Sequence, residues 1–280
     1  MMMYSGQLRK MAVSAQPGET AQYSLQLAEQ PLQLNEFIGR RVTLSYQGQI
    51  NCVHCQAKTN KSFNQGYCYR CLITLARCDS CIIKPELCHY HEGTCREPRW
   101  GEENCFAPHF VYLANTGNLK VGITRHVSAG VSSRWIDQGA TQAIAMLQVN
   151  DRLTSGKVEM ICKQHVADKT NWRTMLKGEP EKLDMAAQRD YLLEKIKQEL
   201  ALLSHDHSAF DYSIIDSKPI DIDFPVEQYP VKIKSLNLDK TASFSGVLKG
   251  IKGQYWLLDD DRVINIRKFA GYQVDLSVEE

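Results

Sequence analysis

Thiolates paired two residues apart are suited to metal binding, and the chain places two such hooks at Cys52-x2-Cys55 and Cys68-x2-Cys71. A tight turn lets both sulfurs of a hook reach one ion, and two hooks supply the four tetrahedral ligands that zinc takes. Four free cysteines would have to reproduce both hooks by accident, so the spacing predicts a structural zinc. A third hook, Cys78-x2-Cys81, is followed by Cys88, His91, Cys95 and Cys105 and predicts a second zinc. Cys78 and Cys81 are its firm pair, and Cys88, His91, Cys95 and Cys105 compete for the remaining places. A cross-braced arrangement, with Cys52 and Cys55 sharing an ion with Cys78 and Cys81, satisfies the spacing as well. Neither cluster shows the open position and general base of a catalytic zinc. Cys162 stands apart and reads as a small buried apolar residue on a helix.

A second set of chemistry-bearing residues lies downstream. Residues 110–124, from Phe110 to Thr124, read as two strands around an Asn/Gly turn, hence a hairpin. Arg134 follows at an expected helix, and Glu159 lies on another, within Lys157–Val166. Brought together, Tyr112, Arg134 and Glu159 form a sensible phosphodiester-cleaving set. A phenol helps activate water, a guanidinium stabilises the added phosphate charge, and a carboxylate holds Mg²⁺. Taken singly, Tyr112 is an ordinary strand residue, Arg134 and Glu159 an ordinary ion pair, and Lys120, Arg125 and His126 a solvated turn. Trp135 and Trp172 read as core aromatics, with base stacking as the alternative.

Hairpin, then arginine, then a glutamate on a later helix is an order that resembles the GIY-YIG nuclease superfamily, in the branch whose second motif reads Lys-φ-Gly-x-Thr. The resemblance spans about residues 109–178. It implies that Tyr112 is the tyrosine of the first motif, Gly122 the glycine of the second, Arg134 the helix arginine and Glu159 the Mg²⁺-binding glutamate, with Asn171 as a late polar residue. Phe110-Val111 stands in place of the Gly-Ile before the first tyrosine, and Lys120 stands where the second tyrosine is expected. Lys120 suits phosphate binding or the tuning of a neighbouring pKa, but not a tyrosine's chemistry. The layout, a cysteine-rich segment joined to such a module, also resembles an uncharacterised bacterial family of cysteine-rich, zinc-binding proteins.

These residues must be positioned by the rest of the chain, which has 280 residues, 43% of them hydrophobic and 23% charged, enough for a real core. Lys and Arg total 33 against 32 Asp and Glu, which excludes a uniformly basic nucleic-acid coat and an acidic disordered protein. Charge is instead local: residues 109–178 carry nine basic against four acidic residues, and residues 179–228 five against twelve. The start of the chain lacks the apolar run of a signal peptide, and no later run reaches the ~18 apolar residues of a membrane span. The expectation is a cytoplasmic protein without a membrane partner, whose ten cysteines bind metal rather than form disulfides.

The two ends of the chain resemble each other. Tyr4-Ser5-Gly6-Gln7-Leu8 recurs as Phe244-Ser245-Gly246-Val247-Leu248, Gln22-Tyr23-Ser24-Leu25 as Gln254-Tyr255-Trp256-Leu257, and Phe37-Ile38-Gly39 as Phe269-Ala270-Gly271. A unit of about 45 residues buries little core alone, so the copies predict two small barrels or one β-domain in which both termini pair. Between them, Asp184–Ser204 reads as an amphipathic helix with Asp184 as its N-cap, and Pro219, Pro225 and Pro230 mark an extended connector. The expected fold class is α+β and multidomain. It divides into a β-rich unit at 1–50, a zinc-ribbon-like module at 51–108, a GIY-YIG-like module at 109–178, an acidic helix and connector at 179–235, and a second β-rich unit at 236–280.

Together these readings predict a zinc-stabilised, Mg²⁺-dependent endonuclease acting on DNA or RNA. The alternatives are a zinc-dependent nucleic-acid-binding protein without catalysis and a zinc-stapled protein-interaction scaffold.

Overall fold

The computed structural model describes residues 1–27, 29–127, 130–167, 169–206 and 211–279. The first segment supplies β1 (Met2–Gln7), β2 (Ala12–Ser14), β3 (Gln22–Leu25), β4 (Leu32–Gln33) and β5 (Arg41–Asn51). The cysteine-rich segment adds β6 (Lys58–Thr59), α1 (Tyr69–Thr74) and α2 (Pro98–Cys105), joined by 3₁₀ turns. The middle of the chain holds β7 (His109–Asn115), β8 (Leu119–Thr124), α3 (Ser133–Asp137), β9 (Gln142–Val149), α4 (Arg152–Cys162), α5 (Trp172–Met175), α6 (Met185–Asp206), β10 (Tyr212–Ile214) and β11 (Ile220–Asp221). The chain closes with β12 (Lys234–Ser235), β13 (Ser243–Lys252), β14 (Tyr255–Leu258), β15 (Arg262–Asn265) and β16 (Tyr272–Val278). The fold is mixed α and β, with several sheets and a cysteine cluster.

Both ends of the chain enter one sheet, ordered β1-β16-β5-β13-β14-β15-β12, with β6 pairing β5. β1 runs antiparallel to β16, from Met2 opposite Val278 to Gln7 opposite Gln273. In each end segment a 3₁₀ turn, Leu34–Phe37 or Ile266–Phe269, precedes the last strand, and each turn buries its phenylalanine. Gly39 and Gly271 follow these turns with φ of 83° and 97°, a left-handed conformation that glycine adopts without steric cost.

The second sheet is antiparallel, ordered β10-β9-β7-β8, with β11 also pairing β9. The hairpin is present, with Tyr112 opposite Gly122. β9 joins its other side, and the proline-marked connector contributes β10 and β11 rather than running past as coil. Both faces of β7 are covered. Val111 and Leu113 pack with α4 and α6 through Val158, Cys162, Leu192 and Ile196. On the other face, Tyr112 and Ala114 join a buried cluster that continues through Trp135 and Ile136 to Met11, Trp256 and Phe269 of the end segments. A strand covered twice needs a nearly unbroken apolar run, and His109–Asn115 supplies one. Asp184 caps α6 by accepting from the Ala187 N–H at 3.0 Å.

The cysteine-rich segment rests on α4. A methyl group added at Gly156 would lie 2.3 Å from the Glu86 nitrogen and 2.6 Å from the Pro85 carbonyl carbon, so the helix must be bare there for the Pro85–Leu87 turn to seat. Arg152 closes the joint by donating to the carbonyls of Cys81 and Ile82. We expect Gly156→Ala to lower stability by about 1–3 kcal/mol through overpacking. Urea unfolding would measure that loss, and limited proteolysis should then cut faster within residues 76–108.

Candidate functional site

Cys52 ends the run of β5, while Cys68 caps α1 and Cys71 lies in its first turn. One ligand atom from each of Cys52, Cys55, Cys68 and Cys71 lies within 4.8 Å of all the others. The Cys55 and Cys68 sulfurs are 3.7 Å apart, close to the ~3.8 Å edge of a tetrahedron with zinc–sulfur bonds of about 2.3 Å. Burial raises the Cys52 thiol pKa, but N–H groups of Cys55, Cys68 and His54 directed at the sulfur outweigh it and bring it to about 6. Cys71 is pushed up by burial and by the neighbouring sulfurs. Four thiols at one point cannot all ionise unless a cation joins them. The set fits zinc.

The later ligand candidates divide differently from their spacing. Cys78 packs with Cys52, Cys71 and Leu75 beside the first cluster. Cys81 lies instead within 4.8 Å of Asp79 and His89. Burial, with Asp79, Cys88 and Cys105 nearby, pushes the Cys81 thiol up to about 11, and Cys105 senses Cys88 and Cys95. Asp79 accepts from Arg96 at 2.8 Å, and the His91 ring packs edge-on to Tyr90 and Phe106.

Two of the second set, Arg134 and Glu159, meet at a cleft of about 300 Å³. Arg134 and Glu159 line it together with Lys10, His109, Arg125, Arg152 and Arg267. Arg134 is placed by α3, whose cap Ser132 accepts from the Arg134 N–H and shares a 2.8 Å hydrogen bond with Thr124 at the end of β8. Glu159 projects from α4 and is paired with Lys163 one turn on, at 3.4 Å. Tyr112 is fully buried beneath them and donates to Gln138 Oε1 at 2.9 Å. Its pKa is about 12, raised by burial and by Glu159 against the lowering effect of Arg134, so the phenol keeps its proton at neutral pH. A methyl group at Gly122 would lie 2.5 Å from the Tyr112 hydroxyl, so the glycine is what leaves room for it.

Tyr112 and Gly122 do not line the cleft themselves, and two further sequence candidates lie outside it. Lys120 is buried on β8, two residues from Gly122, with a backbone bridge to Ala167, and does not line the cleft. Asn171 spends its side chain capping α5, accepting from the N–H groups of Arg173 and Thr174. Trp135 is a core residue, and Trp172 stacks on Tyr255 and carries the Arg173 guanidinium over its ring. Cys162 is buried among apolar side chains, which push its thiol up to about 12.

The cleft also holds residues that the motifs did not single out. The two carboxylates lining it are Glu159 and Asp137, and Asp137 is taken by Lys10 and by Gln254 Nε2 at 2.9 Å. Among the described residues, Arg125, Arg134, Arg152 and Arg267 form no ion pair within 4.0 Å, although Arg267 senses Asp137. Burial lowers the pKa of Arg152 and of Arg267. His109 is buried, donates from Nδ1 to the Ala107 carbonyl at 2.7 Å, and leaves Nε2 with no hydrogen-bond partner among the described residues.

Residues 39–274 match the model of a family described as "Protein of unknown function (DUF2797)". The chain belongs to the DUF2797 family. No curated protein and no solved structure matches it. This DUF2797 chain thus contains a four-cysteine cluster that could hold a metal such as zinc, and a separate cleft rich in arginine. Among its described residues no helix is long and apolar enough to cross a membrane.

Two measurements test this geometry. Purified protein should carry zinc by elemental analysis, and Cys52→Ser with Cys71→Ser should remove one equivalent and lower the melting temperature. The second measurement follows stability with pH. Burial brings the His109 pKa from 6.5 to about 4, so between those values the unfolded chain is protonated and the folded chain is not. Stability present above pH 6.5 is therefore lost as the pH falls towards 4, on the order of 2–3 kcal/mol. In His109→Gln the acid-side loss should be smaller by that amount in urea titrations at pH 7, 5.5 and 4.

Proposed function

We infer that the chain is a divergent GIY-YIG-type phosphodiesterase acting on nucleic acid. The observation that carries this reading is the meeting of Arg134 and Glu159 in one cleft, with Tyr112 directly beneath and Gly122 bare to admit its hydroxyl. Arg134 would face the phosphate and stabilise the negative charge added in the transition state. Glu159 would hold Mg²⁺, which when bound neutralises phosphate oxygens and lowers the pKa of a bound water. Lys163, now on that carboxylate, is the cation it would displace. Tyr112, protonated at neutral pH, would position Arg134 by accepting from its guanidinium while donating to Gln138 Oε1, rather than act as a phenolate base. The first zinc is structural in this reading. The end segments are a duplicated β-unit in the same reading.

A second reading is a binding protein that retains the scaffold without the reaction. The complete burial of Tyr112 and the Glu159–Lys163 pair favour it.

Cleavage assays separate the two. Wild-type protein with Mg²⁺ should cut labelled single-stranded, duplex or branched nucleic acid, and Glu159→Gln should lose about 100-fold or more in rate with unchanged melting. Equal cleavage by the variant, or none by the wild type on any substrate, would remove the catalytic reading.

A further inference from the structure

The cleft does not end at Arg134 and Glu159. A larger recess of about 720 Å³ shares Lys10, Ile82, Ile83, Arg134 and Arg267 with it, so the two form one continuous groove. Beyond the shared Ile82, Ile83 and Arg134, three parts of the chain wall the recess. Arg9 and Lys10 follow β1, Arg267 comes from the turn before β16, and Asn64, Gln65, Tyr67 and Arg77 belong to the four-cysteine knuckle and the turn after it.

No carboxylate lines this outer stretch. Among the described residues, Arg9, Arg77 and Arg267 form no ion pair within 4.0 Å, Arg9 bonds only to the Gln7 side chain, and the carboxylate that Arg267 senses, Asp137, is held by Lys10 and Gln254. A chain with a net charge of +1 has therefore gathered unpaired guanidiniums along one path, where they repel one another unless an anion lies between them. The unpartnered Nε2 of the buried His109 lies at the inner end. Repeated positive charge along a groove is the complement of a repeated phosphate, not of a single one.

We propose that this groove binds a single-stranded polynucleotide, whose backbone runs from the Arg134–Glu159 cleft over Arg267 and Arg9 to Arg77 at the zinc knuckle. The inner cleft, at about 300 Å³, has room for one nucleotide but not for paired strands. Tyr67, whose hydroxyl lies against Arg77, offers a ring for a base in the outer stretch. DNA and RNA present the same backbone charge, and both are included in the test. The proposal takes its direction from the cleavage reading above, yet its contacts lie outside the cleaving residues.

The test uses zinc-loaded, full-length protein carrying Glu159→Gln to prevent cutting, with fluorescein-labelled 16-nucleotide DNA, the same sequence as RNA, and a 16-base-pair duplex. Fluorescence anisotropy is read across a salt series. Arg9→Ala with Arg77→Ala removes two exposed groove cations. Lys195→Ala with Lys197→Ala removes the same charge from the exposed face of α6. The groove pair should weaken single-strand binding at least 10-fold and lower the slope of log K against log salt by about 1.4, the loss of two phosphate contacts. The α6 pair should change neither. Equal effects of the two pairs, no effect of the groove pair, or tighter binding of the duplex would overturn the proposal. Groove-dependent binding by a wild type that cuts nothing would keep it and remove the cleavage reading. Cutting that survives with groove-independent binding would do the reverse.

Discussion

Strand β7 is buried on both faces, and the placement of nearly every candidate residue follows from that. Alternation along a strand sends Val111 and Leu113 to one side and Tyr112 and Ala114 to the other. The first side needs α4 and α6 to cover it, and α4 then carries Glu159. The second side needs the end-segment sheet to cover it, and that sheet brings Lys10 and Arg267 to the same cleft. Exposing either face would leave apolar residues in water, each at a cost of roughly 1.5–3 kcal/mol. The cleft is thus formed where three elements close around one strand, and its composition is a by-product of what covers that strand.

What could be read in the sequence, and what could not, divides along the same line. The hooks of Cys52 and Cys55 and of Cys68 and Cys71 were legible because their chemistry is local: a turn of two residues fixes each pair. The hairpin and the helix behind Asp184 were legible from alternation and from 3.6-residue periodicity. β9 was not, since Gln142–Val149 is buried on both faces and its mixed Ala, Met and Leu carry no β-branched signal beyond Ile144 and Val149. β10 and β11 lie within an acidic, proline-marked stretch whose composition argues for coil, and they form because β9 offers an edge. Cys78 and Cys81 look like a hook, but the 3₁₀ turns at Ala76–Cys78 and Ser80–Ile82 direct them to different neighbours. Arg9, Arg77 and Arg267 are far apart in sequence and ordinary in type, so only tertiary structure could show them sharing a groove. His109, beside the cysteine cluster, had a signal only in the apolar run that buries it.

The need for a metal staple follows from how little apolar surface the cysteine-rich segment buries. Its own cluster is confined to Cys52, Cys71, Leu75 and Cys78, with Tyr67, Cys68 and Leu72 at the margin, and most of its turns are single 3₁₀ turns. A core of that size does not offset the entropy of ordering more than fifty residues at ~1–2 kcal/mol each. Cation–thiolate bonds supply stability without apolar area.

Such bonds at the four-cysteine cluster would also fix position. The segment leaves β5 at Asn51 and re-enters at His109, so it is anchored on the large sheet at one end and on the second sheet at the other. Between these anchors it lines the groove through Tyr67 and Arg77, and the Arg152 bonds to the Cys81 and Ile82 carbonyls hold its middle against α4. Arg77 lines the groove between Cys71 of the four-cysteine cluster and Cys81, which lies beside Asp79 and His89. A flexible loop could carry the same arginine, but it would pay the ordering entropy whenever an anion bound, whereas a stapled one has met that cost at folding. A metal held by the four-cysteine cluster would thus contribute to anything in the groove geometrically, through the backbone rather than through coordination of the ligand.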